Sequence, residues 1–257
     1  MLAIKYRSHG IRLGHACFLT KNDIESKKYK KMKADLIWLY GLQDHPLDGK
    51  YLRTQHTVIK DIKPNEDDLF SSLGKKLRSH IRKSQREPNV RIIIYDSETI
   101  QNDASILQES KSLFEKMYAS KGKHVVFNMK MAKALCQAGN LCICLAYYQD
   151  EPIGFDAILM EGNNARLWLA AFVFRDNPDE AQIYSDAHKR MDWEAIVWCK
   201  KMGIDYFDFG GINSFEEPNG IARFKMDFEN NNKVDYMNYL VANSLIGKIA
   251  LLFLRSK

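Results

Sequence analysis

The chain has 257 residues, of which 46% are hydrophobic and 27% charged, with a formal net charge of +6. These are the proportions of an ordinary soluble globular protein with room for one large domain or two small ones. No run approaches the roughly 20 apolar residues that span a bilayer, which excludes a membrane-crossing helix, and the basic excess suits acidic partners such as phosphorylated small molecules, anionic lipid surfaces or RNA.

The start, MLAIKYRSHGIRLGHACF, has apolar runs too short for a secretory signal, so a cytoplasmic protein is expected. The first 60 or so residues mix short strands with a basic run, KKYKKMK at 27–33, which reads as a solvated face or a phosphate contact. Residues 35–42 (DLIWLYGL) and 56–62 predict strands. Asn65 is placed to cap a helix, with Asp67 and Asp68 complementing its dipole. Leu69, Leu73, Leu77 and Ile81 then share one face, while Lys75, Lys76, Arg78, Arg82, Lys83 and Arg86 cover the rest up to Pro88.

A strand over 90–95 and helices over 104–120 and 130–138 follow, the last capped by Gly139. Residues 141–148, 153–160 and 165–174 are apolar runs separated by the polar turns QDEP and EGNN, predicting an antiparallel meander. A helix over 184–202, Gly203 as its cap, and a strand over 204–209 complete the pattern. This predicts an α+β class, a mixed sheet flanked by helices, in the order found in the GNAT acyltransferase fold. The expected division is a partial N-terminal subdomain over 1–64 and a GNAT-like domain over 65–257 ending in an amphipathic helix.

The five cysteines form no CxxC pair, and Cys142 and Cys144 should face one side of a strand, so buried reduced thiols are expected. The histidines His80, His124 and His188 show no metal-binding spacing, and no metal is expected. The segment before the long helix, Asn177-Pro178-Asp179-Glu180-Ala181-Gln182, is acidic and lacks glycine. Pyrophosphate binding by backbone amides at that helix start is therefore not expected.

More specific signals lie toward the C-terminus. Trp193-Glu194-Ala195-Ile196 precedes Gly203, then Tyr206-Phe207-Asp208-Phe209-Gly210-Gly211-Ile212, then Gly220-Ile221-Ala222-Arg223-Phe224-Lys225 and Phe228. This order resembles the FemABX family and the related BioF2-like GNAT-type acyltransferases, and Leu77 to Ser84 looks like the arginine-bearing helix of those proteins. After RFK the chain reads Asp227-Phe228-Glu229-Asn230, where that family often continues FGG. The resemblance implies transfer of an acyl or aminoacyl group, with acyl-CoA or aminoacyl-tRNA as donor and no tightly bound cofactor. An acyl carrier protein is a third donor. The acceptor implied is an amine, or less often a hydroxyl, on a cell-envelope sugar or peptidoglycan precursor. It makes Lys225 the functional lysine and places Phe224 on the donor site.

Acyl transfer needs the donor carbonyl and acceptor to meet, a proton to leave, and charge on the carbonyl oxygen to be stabilised. Lys225 and Arg223 could stabilise that oxygen or hold a phosphate, and Gly210 and Gly211 let a substrate approach the strand end. The alternative for Arg223-Phe224-Lys225 is an amphipathic turn with Phe224 in the core. Asp208 reads equally as a base or as a turn cap, and Asp156, in the middle of IGFDAILM, as a buried proton acceptor or a solvated strand residue. Arg78 and Arg82, one helical turn apart, could clamp the diphosphate of a nucleotide-linked or lipid-linked sugar, or form a solvated face. The tail, YLVANSLIGKIALLFLRSK, predicts a helix packed on the domain or lying in a cytoplasmic leaflet with Lys248, Arg255 and Lys257 near headgroups. Two non-catalytic readings stand beside the transferase: a basic nucleic-acid-binding module, with tRNA among its partners, and a membrane-peripheral adaptor.

Overall fold

The computed structural model describes residues 1–42, 49–173, 178–228 and 232–255, with no account of the side chains of 254 and 255. Phe174, Asn177, Glu229, Asn230 and Lys257, used above, lie outside the described residues. In chain order the elements are β1 (Leu2–Ser8), β2 (Ile11–Cys17), α1 (Lys21–Glu25), a 3-10 helix (Lys28–Met32), β3 (Leu36–Leu42), β4 (Lys50–Asp61), α2 (Glu66–Ser72) and α3 (Lys75–Gln85). There follow β5 (Val90–Tyr95), α4 (Ser97–Asn102), α5 (Ser105–Ala119), α6 (Met129–Gln137), β6 (Leu141–Tyr148), β7 (Glu151–Glu161) and β8 (Asn164–Phe172). The chain ends with a short 3-10 turn (Pro178–Glu180), α7 (Ala181–Lys201), β9 (Tyr206–Ile212), α8 (Gly220–Met226), β10 (Lys233–Ala242) and α9 (Leu245–Arg255).

The ten strands of the described residues form one sheet in the order β1-β2-β3-β10-β4-β9-β8-β7-β6-β5. The pairs β2/β3 and β8/β9 are parallel. The expected meander is present as antiparallel β6, β7 and β8. Helices α3 and α7 pack together, and α7 covers β5 to β8, while α5 lies against β7 and β8. The mixed sheet with flanking helices is the α+β GNAT-like architecture that the sequence predicts. The five cysteines are buried and unpaired.

β10 enters between β3 and β4, so the sheet runs without a break across residue 64, where the sequence suggested a boundary. Tyr239 and Val241 of β10 share a small core with Ile37, Leu39 and Tyr29. The predicted tail helix over 239–257 is corrected here: residues 239–242 are strand, and the helix starts only at Leu245. Aromatic and aliphatic side chains on that stretch suit either state, and the open edges of β3 and β4 decide it.

The predicted single helix after Asn65 is two. Asn65 does cap the first, accepting from the Asp68 amide. Leu73 and Gly74 are extended, and Gly74 caps α3. The apolar spacing survives the break, since Leu69, Leu73, Leu77 and Ile81 are all buried. Arg223-Phe224-Lys225 sits in helix α8 rather than a turn, because the Asn219 side chain caps it on the Ala222 amide.

Candidate active site

The site begins with a change of register. On β4 and β9, Thr57 pairs with Gly211 and Ile59 with Asp208, so two steps on β4 span three on β9. The extra residue is a β-bulge, and Gly210 within it has φ +71°, a left-handed conformation that glycine adopts without strain. A Cβ on Gly210 would also lie 2.5 Å from the Leu167 carbonyl oxygen. Pairing between β8 and β9 is confined to Asn164–Arg166 against Tyr206–Asp208, ending where the bulge begins. Beyond that point the parallel strands part, and the β9-facing edge of β8 has no ladder partner among the described residues.

The fork opens into a cavity of about 440 Å³ lined by Leu167, Trp168, Leu169, Ala170, Gly211, Ile212 and Lys225, with Arg53, Thr54 and Gln55 of β4 and Tyr118 of α5. A cavity of about 260 Å³ adjoins it and shares Arg53, Gln55, Leu167, Trp168 and Gly211. Lys225 reaches the fork from α8 and donates from Nζ to the Gly211 carbonyl at 3.0 Å. Burial pulls the Lys225 pKa below the ordinary lysine value, while the carboxylates of Asp192, Asp208 and Asp156 act in the opposite sense.

Asp208 is buried with both carboxylate oxygens engaged. Oδ1 accepts from the Thr57 hydroxyl and from the Gly210 amide at 2.7 Å, and Oδ2 accepts from Arg166 at 2.8 Å. These bonds tie β4, β8 and the bulge together at the root of the fork, an anchoring geometry rather than that of a free base.

Asp156 faces α7, where it meets Asp192 and His188. The three side chains offer donor atoms within 4.8 Å of one another. Both aspartates are fully buried, their carboxyls face each other, and Asp192 Oδ2 lies 3.6 Å from His188 Nε2. Desolvation raises the Asp156 carboxyl far above its usual range, reinforced by Asp192, and burial pushes Asp192 up to about 7. Near neutral pH such a pair holds a proton that two exposed carboxyls would have lost. The His188 ring is stacked between Phe172 at 4.1 Å and Phe224 at 4.4 Å, and burial lowers its pKa to about 3. His188 and Asp192 are one helical turn apart, so the histidine does have a carboxylate at helical spacing, contrary to the expectation from sequence. The trio contains oxygen and nitrogen donors of the kind that bind divalent cations, but the neighbouring Lys225 ammonium already supplies positive charge there.

On the other side of α8 a cavity of about 520 Å³ is lined by Lys76, His80, Gln182, Ser185, Lys189, Arg223 and Asp227, with Gly74 and Leu77. Phe224 lies between the two regions, with Lys189 Nζ 6.0 Å from its ring centroid. Arg78 and Arg82 do not line this cavity. Arg78 donates to the Ser71 carbonyl at 2.6 Å, and Arg82 stacks over Phe70 at 5.1 Å, so both secure the break between α2 and α3. The start of α7 has no side-chain cap and carries Asp179 and Glu180 next to it.

Of the residues singled out in sequence, the structure gathers Lys225, Gly210, Gly211, Asp208 and Asp156 around the fork, puts Arg223 on the basic cavity and Phe224 between them, and leaves Arg78 and Arg82 apart. Arg166, Asp192, His188, Lys189, Arg53 and Gln55 were missed. A His-x-x-x-Asp spacing on a predicted helix could have found two of them, while the others become site residues only through strand pairing.

Several solved structures share this fold. FemX aligns with a TM-score of 0.54 at 12% identity, over 95% of this chain and 85% of its own. The C-terminal domain of a putative lysylphosphatidylglycerol synthetase from Agrobacterium fabrum gives 0.56 at 12% identity, over 97% and 83%. L-PGS from Bacillus licheniformis gives 0.52 at 13%, over 96% and 83%. No curated protein matches the sequence. Enzymes of the GNAT type use acyl-CoA as donor without a tightly bound cofactor. The model of the acetyltransferase (GNAT) domain matches residues 71–226, more than half of the chain, and the protein therefore belongs to that family of acyltransferases.

Proposed function

We propose that the fork between β8 and β9 is where an acyl group passes from acyl-CoA to an amine, or less readily a hydroxyl, of a cell-envelope sugar or peptidoglycan precursor. The observation that carries this reading is Lys225, whose Nζ ends at the Gly211 carbonyl on the wall of the 440 Å³ cavity. A partly desolvated ammonium there stabilises negative charge on a carbonyl oxygen more strongly than it would in water. The acceptor nitrogen attacks the thioester carbon, charge collects on the oxygen beside Lys225, and the C–S bond breaks to release the thiol. Asp156 and Asp192 do not line the cavity. Their part is to keep Lys225 charged against its burial. The proton that the acceptor gives up passes through solvent in the open cavity to the departing sulfur, since Asp208 has no free oxygen to take it.

The donor's phosphates fit the 520 Å³ cavity, where Lys76, Lys189 and Arg223 provide side-chain cations. This replaces the backbone cradle that the acidic start of α7 does not favour. The acceptor class rests on the resemblance of the DFGG and RFK segments to the FemABX family, and the fold shared with FemX is compatible with it. The test is to incubate the protein with labelled acyl-CoA and, separately, aminoacyl-tRNA, each with nucleotide-linked and lipid-linked amino sugars, and to follow product mass. Acylated product with acyl-CoA, absent for Lys225→Ala, is expected. Product from aminoacyl-tRNA alone would replace the donor, and full activity of Lys225→Ala would move the site.

A further inference from the structure

From the C-terminal helix and the basic segment that holds it, we infer that the protein docks on an anionic bilayer surface. A surface helix normally turns its apolar face inward. In α9 the arrangement is reversed: Leu245 is 73% exposed, Ile246 53%, Ile249 48% and Leu252 61%. These positions fall within an arc of roughly 120° at 3.6 residues per turn. Gly247 is the inward residue, and a Cβ there would collide with the Asp35 carbonyl, so the helix is seated as closely as a backbone allows. Ser244 donates to Asp35 at 2.7 Å, and Asn243 donates to the Lys30 and Ala34 carbonyls at 3.0 and 3.3 Å.

Those contacts place the apolar helix beside the run Lys27-Lys28-Tyr29-Lys30-Lys31-Met32-Lys33. Its tyrosine is buried, while Lys27, Lys28, Lys31 and Lys33 are exposed. Lys248 is exposed on α9 itself. An apolar strip adjoining clustered lysines matches a surface that is apolar beneath and negative above, the interface of a bilayer with anionic headgroups. A second copy of the chain fits less well. Pairing about a two-fold axis would bring the lysine runs together, and one eleven-residue helix offers far less than the roughly 800 Å² per partner of a stable dimer. The helix is too short to cross the membrane, and none of the described helices is long and apolar enough to do so. The inference is independent of the acyl donor and acceptor.

The full chain should sediment with phosphatidylcholine–phosphatidylglycerol vesicles and not with phosphatidylcholine alone, and salt should weaken the binding. Ile249→Glu and Leu252→Glu should abolish it, and Lys27→Ala or Lys31→Ala should each reduce it about five-fold. Unchanged thermal melting of these exposed-site variants separates lost binding from misfolding. A truncation beginning at Leu245, which spares β10, provides a second route to the same loss. No sedimentation with either vesicle, or equal sedimentation with both, would overturn the inference. So would a lipid-free dimer that Leu252→Glu dissociates.

Discussion

Lys225 and Gly211 meet across the fork at 3.0 Å, a lysine ammonium donating to the carbonyl of the residue that follows the left-handed Gly210. The bond is possible because the bulge in β9 ends the β8/β9 ladder after Arg166 and Asp208, and α8 brings its last turn back over the opening. It fixes the ammonium on the cavity wall instead of leaving it to find solvent.

Lys225→Ala should lower kcat for acyl transfer about 100-fold or more, the usual consequence of losing one group that stabilises an oxyanion. KM for the donor should change little, because the donor's phosphates are held by Lys76, Lys189 and Arg223. Steady-state kinetics with acyl-CoA checks this, and a raised KM with unchanged kcat would make Lys225 a binding group.

Asp156 and Asp192 should leave a mark on stability against pH. Their carboxyls are raised by burial in the folded protein, so the native state keeps a proton that the unfolded chain releases. Stability then falls as pH rises above the ordinary carboxyl range, through about 7 for Asp192, with the raised carboxyl of Asp156 adding to the fall. Asp156→Asn combined with Asp192→Asn should flatten a slope on the order of 1.4 kcal/mol per pH unit. Urea denaturation at about pH 5 and about pH 8, wild type against double variant, measures the difference.

Gly210 and Gly211 should respond differently to alanine. Gly210→Ala forces a Cβ against the Leu167 carbonyl at a left-handed position, and a loss of about 2 kcal/mol or more is expected. At Gly211 the new Cβ meets the end of the Gln55 side chain, which can move only by giving up its bond from Asn238. That variant should lose less stability than Gly210→Ala yet bind substrate differently, since Gln55 lines the cavity. Melting curves and KM values for the two variants separate these effects.

Asp208→Ala should cost about 3–5 kcal/mol, because it strands the buried Arg166 guanidinium. Adding Arg166→Met should recover part of that loss. Recovery of stability without recovery of activity would indicate that the pair also shapes the fork. Recovery of both would limit it to anchoring.

Much of the layout was legible in the chain. The meander 141–172 and the long helix after it carry unmistakable periodicity, because each element there buries a face whose spacing follows its own geometry. The Gly210-Gly211 and Arg223-Phe224-Lys225 groups were visible as residue types, and Asn65 as a cap. Local chemistry sufficed for these.

Other features depended on partners distant in sequence. Residues 239–242 became strand because β3 and β4 offered two unsatisfied edges, a condition no local pattern records. Asp208 turned into an anchor when strand pairing brought Thr57 and Arg166 to it, and Asp156 acquired its raised pKa when packing against α7 buried its carboxyl and set Asp192 opposite. The sequence by itself determined most of the helices and strands, the meander and long helix above all, and which residue types could do chemistry, since backbone preference and amphipathic spacing act over a few residues. Burial, charge pairing and the parting of β8 from β9 were decided by tertiary structure alone, because desolvation and Coulomb forces depend on distance in space and not on position along the chain.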